Sequence, residues 1–249
     1  MKISIITVVW NNKKTIRNAI ESVLGQSYKN IEYIIIDGAS TDGTVEIINS
    51  YSSKISKFLS EPDQGLYDAM NKGLKLATGD IVGILNSDDV YVDDKVIEKV
   101  VKVFQEKKVD SVFADLVYVK PDDLGKIVRY YDSSYFHPDK FAYGWMPAHP
   151  TFFVKREIYE KYGYFKTNYK IAADYELLVR FLKKYKISYY YLNEVIVKMR
   201  TGGISTSGLK SNYILNKEII QACRENGVST NWIKVLSKYP TKLMGLIKK

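Results

Sequence analysis

Along the first half of the chain, short β-branched runs alternate with segments whose apolar residues recur every three or four positions. Ile3-Ser4-Ile5-Ile6-Thr7-Val8-Val9 and Ile31 to Ile36 are nearly unbroken, the pattern of strands covered on both faces. Between them Ile16, Ala19, Ile20, Val23 and Leu24 share one side of a helix that stops before Gly25. Val45, Ile47 and Ile48 predict a second helix, and Lys57 to Ser60 a short third strand. The stretch from Glu61 to Gly73 predicts a Pro- and Gly-marked loop running into a third helix that continues to Ala77. Gly79 to Leu85 predicts a fourth buried strand, Asp93 to Lys107 a fourth helix, and Ser111 to Val119 a returning strand. Strands and helices alternating at this pitch predict a mostly parallel α/β sheet flanked by helices.

From Lys120 to Trp145 the pattern breaks, interrupted by Pro121 and Pro138, so this stretch is predicted to leave the sheet. Its Tyr130, Tyr131, Tyr135, Phe136, Tyr143 and Trp145 either pack a small second layer or offer flat platforms to a ligand. Trp145 is the main candidate for a platform. A strand follows at Phe152 to Val154, then a helix whose Leu177, Leu178 and Phe181 form a buried face. Ile187 to Met199 predicts a closing strand or pair. Arg200 to Gly208, rich in Gly and Ser, is either a mobile loop or a linker. Helices are predicted over Tyr213 to Arg224 and over Trp232 to Ile247, the second broken at Pro240. Two units result: 1–208, itself divided near residue 119, and a helical C-terminal extension, 209–249.

Charge changes this picture at one end. The chain of 249 residues carries a formal net charge of +9, and from Leu209 onward eight Lys and Arg face only Glu218 and Glu225. A basic terminus with Trp232, Leu236, Leu243, Met244, Leu246 and Ile247 among its lysines suits a helix lying on an anionic bilayer; docking on the parent domain is the alternative. The single Cys223 excludes an internal disulfide and suits a reducing compartment. No stretch reads as a signal peptide or a membrane span, so the expected location is cytoplasmic, free or peripheral at the membrane's inner face.

The chemistry gathers where an apolar run meets two acids, at Leu85-Asn86-Ser87-Asp88-Asp89. In α/β sheets ligands collect at the carboxyl ends of strands. Adjacent carboxylates there repel unless a cation joins them, and Mg²⁺ or Mn²⁺ with a substrate's phosphates answers that need. A solvated Asp-Asp turn, such as Asp93-Asp94, is the plain alternative. No GxGxxG and no GxxxxGK[ST] follows any strand, which removes the usual dinucleotide and P-loop readings.

Four motifs then stand in order: Thr7 to Asn11, Ile36-Asp37-Gly38-Ala39-Ser40-Thr41-Asp42-Gly43-Thr44, Asp63 to Gly73, and Leu85 to Asp89. Together they resemble the family-2 glycosyltransferases of the GT-A fold, closely over residues 1 to about 120 and more loosely to about 205. The resemblance makes 1–119 the nucleotide-sugar half and 120–208 the acceptor half. It implies that Asp37 accepts a hydrogen bond from a uracil-like ring, that Thr7 and Asn11 line the base and ribose pocket, and that Asp88 is the ribose-side acid. Asp89 would be the ligand of Mn²⁺ or Mg²⁺. Asn86 stands in place of the first acid of an Asp-Xaa-Asp, which leaves one direct protein ligand to the metal.

Asp68 and Lys72, one turn apart, either face the nucleotide together or form a surface ion pair. Asp174 matches the family's catalytic base, with Ala173 where a Glu often stands. His149 is either a structural histidine or an acceptor-side group. The implied reaction moves a sugar, with inversion, from a nucleoside diphosphate sugar (a UDP-sugar by preference) to a hydroxyl of a glycan or lipid-linked glycan in surface polysaccharide synthesis. A nucleotidyltransferase on a similar sheet is the rival enzyme, but Trp10-Asn11-Asn12-Lys13-Lys14 lacks the glycines of a phosphate loop. Nucleic acid is not an expected partner, because the basic residues collect in the tail rather than in a stripe with the aromatics.

Overall fold

The computed structural model describes residues 1–202 and 208–239. Its elements run β1 (Ile3–Val9), α1 (Ile16–Leu24), β2 (Ile31–Asp37), α2 (Thr44–Asn49), β3 (Lys57–Ser60), α3 (Leu66–Leu76), β4 (Ile81–Ile84) and β5 (Val90–Tyr91). They continue through α4 (Val96–Lys107), β6 (Ser111–Lys120), β7 (Asp123–Tyr131), β8 (Phe153–Lys155), α5 (Arg156–Tyr162), α6 (Ala173–Leu178), β9 (Tyr189–Arg200), α7 (Leu209–Glu225) and α8 (Trp232–Leu236). The strands form one 9-stranded sheet in the order β3-β2-β1-β4-β8-β6-β9-β5, with β7 added beside β6.

The nucleotide half follows its hydrophobic pattern closely. β1 pairs in parallel with β2 and with β4, and β2 with β3. Every residue of β1 is buried, because successive side chains feed opposite cores. Ile3, Ile5 and Val9 meet Ile20, Val23, Val100 and Phe104 of α1 and α4 on one face. Ile6 and Val8 meet Met70 and Leu74 of α3 on the other. Gly73 permits this close approach: a Cβ there would stand 2.5 Å from Ile6 Cγ2. At Gly83 a Cβ would stand 2.3 Å from the Phe153 ring, so β4 pairs with β8 only because the position is bare.

Beyond β4 the sheet is mixed. β6 and β9 run parallel, while β8 is antiparallel to both β4 and β6, and β5 is antiparallel to β9. The stretch expected to leave the sheet contributes β7 instead, antiparallel to β6 with Arg129 opposite Tyr118 and Tyr131 opposite Leu116. Most of β7 is exposed, so its sequence carries none of the alternation that marks a half-buried strand. Packing is the outcome for several aromatics of this region: Phe136 meets Phe141 edge-on at 5.2 Å and Phe113 at 5.5 Å.

The C-terminal extension is docked through residue 239. Ile219, Ile220, Ala222, Cys223, Val228 and Val235 join the core that holds Leu177, Leu178 and Phe181. The remainder of the helix expected to 247 lies outside the described residues, as does most of the Gly- and Ser-rich segment, 203–207.

Candidate active site

β1 lies between β2 and β4, so the chain builds outward through β3 and then returns to the other side of β1. Such a reversal opens a crevice at the carboxyl ends of the strands. Asp37 closes β2 at that crevice and is fully buried. Its Oδ2 accepts the Ser40 N–H at 3.0 Å and the Ser60 hydroxyl at 2.7 Å. Its Oδ1 is buried with no partner. Leaving a buried acceptor unmet costs about 1–3 kcal/mol, so this open oxygen is a candidate position for a ligand N–H.

Asp89 repeats the arrangement after β4. It is fully buried, Oδ2 accepts from Asn86 Nδ2 at 3.0 Å, and Oδ1 has no partner. Burial, with the charge of Asp88 added, pushes its carboxyl well above the usual range. Burial also raises Asp88, against the opposing charge of Arg200. The turn is held from three sides. Asn12 Nδ2 donates to Ser87 Oγ at 2.9 Å, Thr15 Oγ1 to Ser87 O at 3.0 Å, and Arg200 to the Asp88 carbonyl. Arg200 also donates to Pro121 O at 3.0 Å and Asn18 Oδ1 at 2.9 Å, tying β9 to the acid turn. The donor set fits a divalent ion bound through one protein oxygen. No trio of His, Cys, Asp and Glu gathers among the described residues, so diphosphate and water would supply the other ligands.

Asp174 occupies the first turn of α6, its Oδ1 accepting the Tyr175 N–H at 2.7 Å. Burial raises its carboxyl, and the adjacent His149 partly offsets this. His149 is buried edge-on to Phe165 at 5.8 Å, and burial lowers its imidazole. The Tyr67 hydroxyl donates to Ile171 O, fixing the segment before α6 against α3. Glu218 of α7 accepts the N–H groups of Lys170 at 2.8 Å, Ile171 at 2.9 Å and Ala172 at 2.9 Å. Glu176, the other acid on α6, pairs along the helix with Arg180 at 3.0 Å and with Lys166 at 3.1 Å, away from the crevice.

The other expected site residues are placed as follows. Thr7 is not at the crevice surface; it is fully buried and its hydroxyl accepts from Tyr33 Oη at 3.1 Å. A β-branched threonine inside an apolar strand is satisfied by a neighbouring phenol, and the exposed strand end falls instead at Trp10, 69% accessible. Asn11, with φ of 47°, braces the following loop: its Oδ1 accepts the Thr41 N–H at 2.8 Å. Lys72 pairs with Glu61 at 2.8 Å and lies 3.5 Å from Asp68, next to the Glu61 N–H that donates to Asp37 O at 3.0 Å. Trp145 is half-buried and takes part in none of the ring contacts among the described residues.

Sequence reasoning missed Arg200, Glu218, Asn12 and Trp10. Arg200 had one signal, its place directly before the Gly-rich segment; Glu218, beside Lys217, reads as ordinary surface charge.

The chain is similar to known glycosyltransferases in sequence and in fold. A 29% identical, uncharacterized glycosyltransferase of Rickettsia typhi matches 88% of this chain and 70% of its own length. A PGL/p-HBAD biosynthesis glycosyltransferase of Mycobacterium bovis is 27% identical over 88% of this chain and 82% of its own. Among solved structures, S. aureus TarS 1-349 in complex with UDP-GlcNAc superposes with a TM-score of 0.69 at 18% identity, covering 92% of this chain and 68% of that one. The mannosyltransferase PcManGT of Pyrobaculum calidifontis, in complex with GDP-Man and Mn²⁺, gives 0.66 at 18% identity, covering 90% and 63%. The fold is the GT-A α/β fold of these glycosyltransferases. The model of glycosyl transferase family 2 matches residues 4–163, more than half of the 249, and the chain belongs to that family.

Proposed function

We propose that the protein transfers a sugar from a nucleoside diphosphate sugar, preferentially a UDP-sugar, to an acceptor hydroxyl with inversion at the anomeric carbon. The observation that carries this reading is the pair of open buried oxygens, Asp37 Oδ1 at the end of β2 and Asp89 Oδ1 in the turn between β4 and β5. Asp37 as a carboxylate accepts only, and so selects a ring that presents an imide N–H. Trp10 offers an exposed indole beside Gly38, where a Cβ would stand 3.4 Å from Trp10 Cδ1. Asp89 would hold Mn²⁺ or Mg²⁺, which when bound offsets the charge that develops on a departing diphosphate. Asp88 and the Asp68–Lys72 pair border the same crevice. The complexes of TarS with UDP-GlcNAc and of PcManGT with GDP-Man and Mn²⁺ support a nucleotide-sugar ligand, either hexose or N-acetylhexosamine, in a fold of this kind.

Asp174 takes the proton of the acceptor hydroxyl while that oxygen bonds to the anomeric carbon and the bond to the diphosphate breaks. A raised carboxyl suits a base working near neutral pH. His149 and Trp145 border the acceptor side. A lipid-linked glycan in surface polysaccharide synthesis suits the outer face of α7 and α8. There Tyr213 stacks on Trp232 at 5.7 Å, Ile233 is 81% exposed, and Lys217 and Arg224 line a groove of about 430 Å³. An aromatic and cationic face of this kind fits an anionic membrane surface; no helix among the described residues is long and apolar enough to cross one. The test is release of nucleoside diphosphate from a panel of sugar nucleotides, with and without Mn²⁺. Metal-stimulated release from one of them, lost in Asp89→Ala, supports the reading, and a flat response across the panel ends it.

A further inference from the structure

Arg129 stands on β7 in register with the acid turn. It is opposite Tyr118 of β6, and Tyr118 is opposite Met199 of β9. Val90 of β5 is opposite Lys198, which brings the preceding Asp89 level with Met199. Residues level across paired strands point to the same face of the sheet. Asp89, Met199, Tyr118 and Arg129 thus form one row, about 14 Å long at the usual strand spacing. The Arg129 side chain lies back along that row toward Asp89, with Cζ 4.5 Å from the Tyr118 ring centre and 5.9 Å from that of Tyr131. Tyr131 in turn donates to Met146 O at 2.8 Å, on the Asp174 and His149 side of the crevice.

The other arginine at the acid turn, Arg200, has its donors taken by Pro121 O, Asp88 O and Asn18. Among the described residues, none of the ion pairs involves Arg129. The Arg129 guanidinium lies over the Tyr118 ring and hydrogen-bonds to that residue, yet with no carboxylate on its edge it keeps further N–H donors for a phosphate.

We propose that Arg129 binds a phosphate group in the crevice facing Asp89, either in the donor's diphosphate or in the phosphate of a lipid-linked acceptor. The inference rests on the transferase reading above and adds to it a cation supplied by the acceptor half. Arg129 and a cation at Asp89 would then engage the phosphate from opposite ends of one row.

The test uses the full chain and two variants. Arg129→Met keeps an unbranched stem on the rings and removes the charge; Arg129→Lys keeps the charge and removes the fork. UDP and GDP, with uridine and guanosine as phosphate-free controls, are titrated in the presence of Mn²⁺. Polyprenyl diphosphate in detergent micelles, with polyprenol as control, is titrated separately. If the donor is the source, Arg129→Met weakens the nucleoside diphosphate about ten- to hundred-fold, the nucleosides bind as before, and Arg129→Lys recovers part of the loss. If the acceptor is the source, nucleotide affinity is unchanged and the advantage of polyprenyl diphosphate over polyprenol disappears. Unchanged affinity for both in Arg129→Met overturns the proposal. Absence of nucleoside diphosphate binding in the unaltered protein, a separate result, overturns the transferase reading itself.

Discussion

The carboxylate of Glu218, on α7, accepts the backbone N–H of Ala172 at 2.9 Å, two residues before Asp174. With the N–H groups of Lys170 and Ile171 on the same carboxylate, α7 caps the start of α6 and fixes where the proposed base begins its turn. Its negative charge also adds to the burial that raises Asp174. Glu218→Gln keeps part of the hydrogen bonding and removes the charge. We expect a fall in kcat of about ten-fold or more with the donor KM unchanged, and an acid limb of the pH–rate profile displaced to lower pH. A change in stability alone, with kcat and the profile intact, contradicts the positioning role.

Asp174 itself sets a pH dependence. Burial makes its folded-state carboxyl weaker than in the unfolded chain, so the folded protein holds that proton more tightly. Its contribution to stability is therefore full below the unfolded-state pKa, declines as pH rises past that value and is lost above the raised folded-state pKa. Transfer needs the deprotonated form, so the rate falls as pH drops through a value above the ordinary aspartate range. Asp174→Asn is expected to abolish transfer, leave nucleotide affinity unchanged and raise Tm at neutral pH. Normal transfer by this variant removes Asp174 from the role.

The proposed selection of the base by Asp37 rests on geometry that an amide cannot copy. The Ser40 N–H can only donate, so the oxygen of an Asp37→Asn side chain turns to it and presents NH₂ to the ligand instead of an acceptor. Uridine affinity should fall about ten- to hundred-fold, the value of one buried hydrogen bond left unmet. Equal affinity in the variant places the base elsewhere.

The exposed α7–α8 face predicts binding to anionic vesicles that weakens as salt is raised. Replacing Trp232 and Ile233 together by Glu removes the apolar contact without touching Val235, which is buried in the core. Flotation with phosphatidylglycerol vesicles, but not with phosphatidylcholine alone, is expected for the unaltered protein and lost in the double variant. Equal flotation of both proteins excludes this face.

How much was legible in the sequence depends on what each residue answers to. β1 and β2 sit where their residues predict, since a parallel strand covered on both faces writes its burial into nearly every position. Asp37 and Asp89 were visible as acids ending apolar runs. β7 was not, because an edge strand open to solvent at most positions has no periodicity to read, and Arg129 was hidden with it. Thr7 misled through its nearness to a strand end: one strand register decides between a pocket wall and a core hydroxyl. Glu218 took its role from the docking of α7 on α6, a contact between residues 46 apart in the chain that no local pattern records.

On the proposed function, the buried Oδ1 of Asp89 is kept for a cation that engages the donor's diphosphate. The decisive experiment is calorimetric titration of UDP, GDP and their nucleosides, with and without Mn²⁺, into the unaltered protein and Asp89→Ala. Mn²⁺ should tighten binding of one nucleotide by about ten-fold or more, and the variant should lose this gain while keeping its affinity for the free nucleoside. An equal Mn²⁺ effect in both proteins, or none in either, contradicts it.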